Sequence, residues 1–394
     1  MKATKIRLVH VMLCTFLAVT GCGMGNTGGN NQSAPSPPEN GTARQHPGPT
    51  QPERVTFPRK VTDTKKAKQP VMEINGYLEP ATPKVDRRIA KSTAPYLTHL
   101  SPFSYRVRAD GSMIPPKDEP ALSALRRTKV VPMMVITNFE EGNFSPEIAR
   151  SVFRNPQARE RLIRNVINTL EKKGYYALNI DFEHIKPADK AGYNDFLREI
   201  APRVRRAGHP VSTALAPKIN AKQSGGWHGA HDYAVHGKVV DFVILMTYEW
   251  GWTGGPPMPV APIPKVRQVL DYATSVIPPE KIMMGAPLYG YDWTVPYRKG
   301  TNAKKMSPVQ ASALAKREGA DIHYDKKNQA PWFRYTDDQD REHIVWFENG
   351  PSAHAKINLA QRYGLRGISY WVLGDDFPRN WELVKEHFQI RKYK

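Results

Sequence analysis

The chain has 394 residues, with 57 Lys+Arg against 37 Asp+Glu, giving a formal net charge of +20 at pH 7. An apolar share of 40% excludes a wholly disordered chain, because there is enough apolar surface for a large core. Both cysteines, Cys14 and Cys22, fall in the first 22 residues, which excludes a disulfide framework or a cysteine-based zinc site in the body of the chain.

The chain opens as an address. Lys2, Lys5 and Arg7 precede an apolar run over residues 8–20, too short to span a bilayer comfortably and suited to a signal-peptide core. The run ends in Val19-Thr20-Gly21-Cys22, which resembles the lipobox of bacterial lipoproteins. That resemblance implies cleavage of residues 1–21, lipidation of Cys22, and an exported protein anchored to the outer face of a bacterial membrane. An ordinary secretory signal is the alternative. Residues 22–70 are rich in Gly, Asn, Ser, Pro and Gln without apolar periodicity, so they read as a flexible tether.

From residue 71 to 394 the texture is that of a folded domain. Short β-branched or apolar runs predict eight strands at Val71–Leu78, Leu97–Tyr105, Val130–Thr137, Ala177–Phe182, Val211–Ala216, Val239–Thr247, Lys281–Leu288 and Gly367–Val372. Helical spacing is clearest over Gln157–Lys173, where Leu162, Ile163, Val166, Ile167 and Leu170 form one stripe and Gly174 is the stop signal. Tyr193–Ala207 and Val266–Ser275 are further helices. Alternation of strand and helix gives an α/β fold, and eight strands favour a closed (β/α)8 TIM barrel. Residues from about 294 to 350 are too many for one connection. They hold a helix-like piece, Ser307–Glu318, and strand-like pieces at Ile322–Tyr324, Trp332–Tyr335 and Ile344–Phe347, read as a small α+β insertion between strand 7 and helix 7.

The fourth strand carries the chemistry. With a side-chain period of two, Asn179, Asp181 and Glu183 share one face, and Leu178, Ile180 and Phe182 share the other. In a barrel the polar face points inward and Glu183 lies at the C-terminal mouth, where barrel enzymes place their sites. Two carboxyl groups so placed should titrate as a pair and keep one proton near neutral pH, which suits general acid catalysis.

These residues resemble the D-x-x-D-x-D-x-E signature of family 18 glycoside hydrolases. Aligned on Glu183, Asp181 matches the last Asp, Asn179 replaces the middle acid and Tyr176 the first. Met246-Thr247-Tyr248-Glu249, Gly285-Ala286-Pro287-Leu288-Tyr289-Gly290 and Gly367-Ile368-Ser369-Tyr370-Trp371 are similar to the family's motifs on strands six, seven and eight. The stretches around them most resemble the spore-associated N-acetylglucosaminidases that cleave cortex peptidoglycan. The resemblance implies substrate-assisted, retaining hydrolysis of β-1,4 bonds after N-acetylglucosamine, without a cofactor. It implies Glu183 as acid/base, Asp181 and Tyr248 as partners of the substrate acetamido group, Asn179 hydrogen-bonded to Asp181, and Trp371 as floor of the sugar site. Tyr289, Glu249 and Met246 are implied as lining residues.

The expected partners are an N-acetylglucosamine-containing polysaccharide, peptidoglycan or chitin, and a membrane through the lipid; the chain is expected to be a monomer. A chitinase and a non-catalytic glycan-binding lipoprotein are the alternatives, the latter prompted by Asn179 and Tyr176. His228, His231, Asp232 and His236 are not read as a metal site, since they are expected on a loop without metal-ligand spacing. Nucleic acid is not expected, because Lys and Arg are scattered and no nucleic-acid-binding motif occurs.

Overall fold

The computed structural model describes residues 69–393. The signal peptide, Cys22 and nearly all of the tether expected from sequence lie outside the described residues. Eight strands are parallel neighbours in chain order: β1 (Val71–Leu78), β2 (His99–Pro102), β3 (Val131–Thr137), β4 (Ala177–Asp181), β5 (Val211–Leu215), β6 (Phe242–Leu245), β7 (Ile282–Pro287) and β8 (Gly367–Trp371). The barrel closes where β8 pairs with β1, Glu73 opposite Gly367 through Gly76 opposite Tyr370. Tyr77, Met133, Val135, Ala177, Phe242, Ile244, Met283 and Val372 form a cluster of their own, separate from the larger one that packs strands against helices. The larger cluster takes Leu178, Ile180 and Phe182 of β4, so the alternation read from sequence divides barrel lumen from helix layer.

Around the strands run α1 (Pro83–Thr93), α2 (Glu119–Leu125), α3 (Pro146–Arg154), α4 (Pro156–Lys173), α5 (Lys190–Arg206), α6 (Tyr233–Val239), α7 (Ile263–Val276), α8 (Pro308–Arg317), α9 (Gly350–Arg362) and α10 (Pro378–His387). The ends of α4 show how local chemistry sets these bounds. Asn155 accepts hydrogen bonds from the amides of Gln157 and Ala158, Pro156 opens the first turn, and Gly174 stops the helix at φ 71°.

Two predicted strands depart from expectation by more than one residue at an end. Leu97–Tyr105 divides into β2 and a separate strand Tyr105–Val107, because Pro102 has no amide with which to continue the ladder. Val239 ends α6 instead of opening β6, because the Asp232 carboxylate accepts from the Val235 amide and caps a helix there. His236 is therefore helical, contrary to the loop expected for His228–His236.

Between β7 and α9 the chain builds a five-stranded antiparallel sheet covered by α8. In spatial order its strands are Lys304–Met306, Gly290–Val295, Glu342–Trp346, Ala330–Thr336 and His323–Asp325. It starts at Gly290, earlier than the expected 294. A side chain at Gly290 would approach the Trp346 carbonyl to 2.3 Å, so this close strand crossing requires glycine.

The N-terminal end of the barrel is sealed by polar contacts. Glu73 accepts from Arg366 at 2.8 Å and from Tyr393 at 2.5 Å, and its carboxylate lies 3.1 Å from His99 Nε2. Burial alone would raise its pKa, but His99, Arg366 and Tyr393 together hold it at about 2. Tyr176 stacks on Tyr393 here, with ring centroids 4.7 Å apart. It immediately precedes β4, so it belongs to the end of the barrel opposite Glu183.

Candidate active site

β4 delivers Asn179 and Asp181 into the lumen and ends at Asp181, with Glu183 two residues further on. All three are buried, at 0%, 5% and 6% exposure. Asn179 accepts from the Tyr77 hydroxyl at 2.9 Å and donates to Ser212 Oγ at 3.0 Å, which clasps β1, β4 and β5 together. Its amide is thus engaged across the sheet and not with Asp181, as the sequence suggested. Same-face residues on one strand stand about 6.6 Å apart, whereas neighbouring strands lie about 4.8 Å apart, so cross-strand partners win.

Asp181 Oδ1 is buried without a hydrogen-bond partner among the described residues. Burial pushes this carboxyl up to about 7. Glu183 is pushed well above the ordinary carboxyl range by burial, then by the neighbouring Asp181 charge, with Glu249 adding to the effect. One opposing contact is the indole of Trp227, which donates to Glu183 Oε2 at 2.5 Å.

The position of Glu183 is fixed by its backbone. The Asn138 side chain, just past β3, accepts from the Glu183 amide at 3.0 Å and donates to the Glu183 carbonyl at 2.9 Å. One residue earlier, the Phe182 carbonyl lies 3.0 Å from His231 Nε2, while His231 Nδ1 accepts from the Ala216 amide. Nδ1 therefore carries no proton and Nε2 donates. Burial holds the ring neutral, with its pKa lowered to about 4. His231 is thereby a strap between β4 and β5. His236 bonds Thr213 at 2.9 Å, and Asp232 pairs with Lys190 at 2.9 Å. Among the described residues no group of three or more His, Cys, Asp or Glu is placed to hold a metal ion.

The motif residues of the later strands gather at the same mouth. Tyr248 is 7% exposed, and burial together with the Asp181 and Glu183 charges keeps it a neutral phenol. Gly285 makes room for it, since a side chain there would come within 2.8 Å of the Tyr248 ring. Trp371 is half-buried, its ring 5.5 Å from Tyr77 and 4.9 Å from Phe103. Glu249 accepts from Tyr289 and, at 3.1 Å, from Tyr291; burial raises it to about 7 against the pull of both hydroxyls. Lys305 of the five-stranded sheet lies over the Tyr289 ring at 4.9 Å and pairs with Asp375 at 2.9 Å. Met246 is buried, with its amide bonded to the Leu215 carbonyl.

Tyr77, Phe103, Asn138, Trp227 and Tyr291 belong to this mouth and were not singled out from sequence. Each comes from a different strand end or loop. The one local cue is a tryptophan in the glycine-rich stretch Ser224-Gly225-Gly226-Trp227. Chemically, the site offers a pair of buried carboxyl groups that retains a proton at neutral pH, a phenol beside it, and a half-buried indole. Trp227→Phe should move the alkaline limb of the pH–rate profile up by about one pH unit, because the lost hydrogen bond favours ionised Glu183. An unmoved limb in kcat/KM measured from pH 4 to 9 would contradict this.

The comparisons agree with this geometry. The family model described as glycosyl hydrolases family 18 matches residues 123–376. The cortical fragment-lytic enzyme of Bacillus subtilis (strain 168) is 45% identical over 325 residues, covering 82% of this chain and 75% of that protein. The corresponding enzyme of Bacillus cereus is 42% identical over 326 residues, covering 82% and 76%. The crystal structure of the Bacillus cereus spore cortex-lytic enzyme SleL superposes with a TM-score of 0.81 at 40% identity, covering 83% of this chain and 77% of that one. A closed barrel with two buried acids at its C-terminal mouth, a match over most of the barrel and relatives above 40% identity lead to one assignment: the chain is a glycosidase belonging to glycoside hydrolase family 18.

Proposed function

We propose that this glycosidase is lipid-anchored through Cys22 and cuts the β-1,4 bond on the reducing side of N-acetylglucosamine in peptidoglycan of the spore-cortex kind. The observation that carries the reading is the buried Asp181–Glu183 pair beside Tyr248 and Trp371. The names of the relatives supply the substrate class.

In this reading the substrate acetamido oxygen attacks the anomeric carbon while Glu183 gives its proton to the departing glycosidic oxygen. Asp181, whose Oδ1 lacks a partner, accepts the acetamido N–H and offsets the positive charge of the oxazolinium intermediate. Tyr248 donates its hydroxyl to the acetamido group, and Trp371 underlies the sugar. Ionised Glu183 then takes a proton from water, which opens the intermediate with net retention. Tyr289, Tyr291 and Glu249 form the wall on the side of the five-stranded sheet.

Product analysis by mass spectrometry tests this. The full chain is incubated with vegetative and cortex peptidoglycan and with chitin oligomers. Fragments ending in reducing N-acetylglucosamine are expected. Reducing muramic ends, or no fragments, would overturn the bond assignment, and faster cleavage of chitin oligomers would replace it with a chitinase. Equal hydrolysis of a substrate lacking the N-acetyl group would sink substrate assistance. For the anchor, Cys22→Ser should move the protein from the membrane fraction to the soluble one; an unchanged distribution would count against lipidation.

A further inference from the structure

On the β5 side of Glu183 lies a positive charge without a counter-ion. Lys218 follows β5 and is 2% exposed. Its ammonium makes one hydrogen bond, to the His231 carbonyl at 3.2 Å, leaving two of its three donors unused. Among the described residues no carboxylate comes within 4 Å of it. Asp232, the acid whose charge reaches it, is engaged by Lys190 at 2.9 Å and caps α6. A buried ammonium without a counter-ion is costly and calls for a ligand or a function.

The surroundings fit an anion. His228 is half-buried, and its Nδ1 is buried without a hydrogen-bond partner. The His228 carbonyl accepts from the His231 amide at 3.2 Å, so Lys218 and His228 are joined through one residue. The same loop carries Trp227, whose indole touches Glu183. His184 follows Glu183 directly, with φ 54°. The loop that contacts the acid thus also holds an imidazole nitrogen without a partner, next to the ammonium of Lys218.

We propose that Lys218 and His228 form a carboxylate-recognising subsite on the β5 side of Glu183. It would take the acidic substituent that peptidoglycan carries on the muramic sugar, as a lactyl carboxylate or as carboxylates of the attached peptide, and that chitin lacks. The proposal rests on the peptidoglycan reading above and adds the residues that select for it. His228 meets the carboxylate and Lys218 supplies the charge behind it. Lys218 acts on substrate preference and not on the chemical step.

The test compares each glycan with its own charge-neutral form. Glycan strands stripped of peptide present the lactyl carboxylate, and intact strands present peptide carboxylates; each is assayed before and after conversion of its carboxyl groups to amides. The full chain should favour the acidic form of one of the two by about tenfold or more in kcat/KM, and that one identifies the source. Lys218→Met and His228→Gln should each bring the acid-to-amide ratio towards one, while Lys222→Ala, an exposed lysine of the same loop, should keep it. His228→Gln guards against a folding defect in Lys218→Met. Equal rates of the wild-type chain on acidic and amidated strands would overturn the subsite and leave the peptidoglycan reading standing. So would a ratio retained by both variants. No cleavage of either form would overturn both.

Discussion

Glu183→Gln is expected to lower glycosidase turnover by about 10²–10⁴-fold, the range for loss of a general acid/base, while the protein stays folded. The amide is nearly isosteric, the Asn138 clamp acts on the backbone, and the Trp227 indole can still donate to the side-chain oxygen. The variant cannot give a proton to the glycosidic oxygen. Steady-state rates with a circular-dichroism melt decide it: activity within tenfold of the wild type would remove Glu183 from the acid role. In the wild type, activity should fall as pH rises through the raised pKa of this group, because the deprotonated form cannot act as acid.

Asp181→Asn is expected to separate activity from stability. In the proposed mechanism, loss of the carboxylate that meets the acetamido group should cost about 10²-fold or more in kcat. Stability should move the other way. Burial raises Asp181 from the ordinary carboxyl range to about 7, so the folded state disfavours its ionised form. A carboxyl raised on folding erodes stability as pH climbs from the unfolded pKa to the folded one, and the loss is complete above it. Asparagine has no such penalty. The variant should therefore be more stable to unfolding than the wild type at pH 8, by an amount on the order of 2–4 kcal/mol, and the gap should close below about pH 4. A gap independent of pH, or a variant less stable at pH 8, would show that ionisation of Asp181 is not the source.

These two carboxyl groups were legible in the sequence because a strand imposes period two. Asn-Ile-Asp-Phe-Glu places acids on one face and apolar residues on the other whatever surrounds it. The strands Val71–Leu78 and Val131–Thr137 and the helix Pro156–Lys173 were legible for the same reason: their patterns and caps are local. Local chemistry misled where a cap outweighed an apolar run, as at Asp232, which drew Val239 into a helix.

What the sequence could not supply is which groups meet across the barrel. Asn179 sits two residues from Asp181, yet its amide is engaged by Tyr77 and Ser212, from strands 102 and 33 residues away. Trp227 reaches Glu183 from 44 residues away, and Tyr291 reaches Glu249 from 42. No spacing rule encodes such pairs, because closure of the barrel creates them. The sequence by itself determined the strand–helix alternation, the inward face of β4 and the identity of its two acids, since these follow from backbone period and side-chain chemistry. Tertiary structure decided the protonation of those acids and the hydrogen bonds that hold them. A pKa depends on burial and neighbouring charge, and both exist only once distant strands have come together.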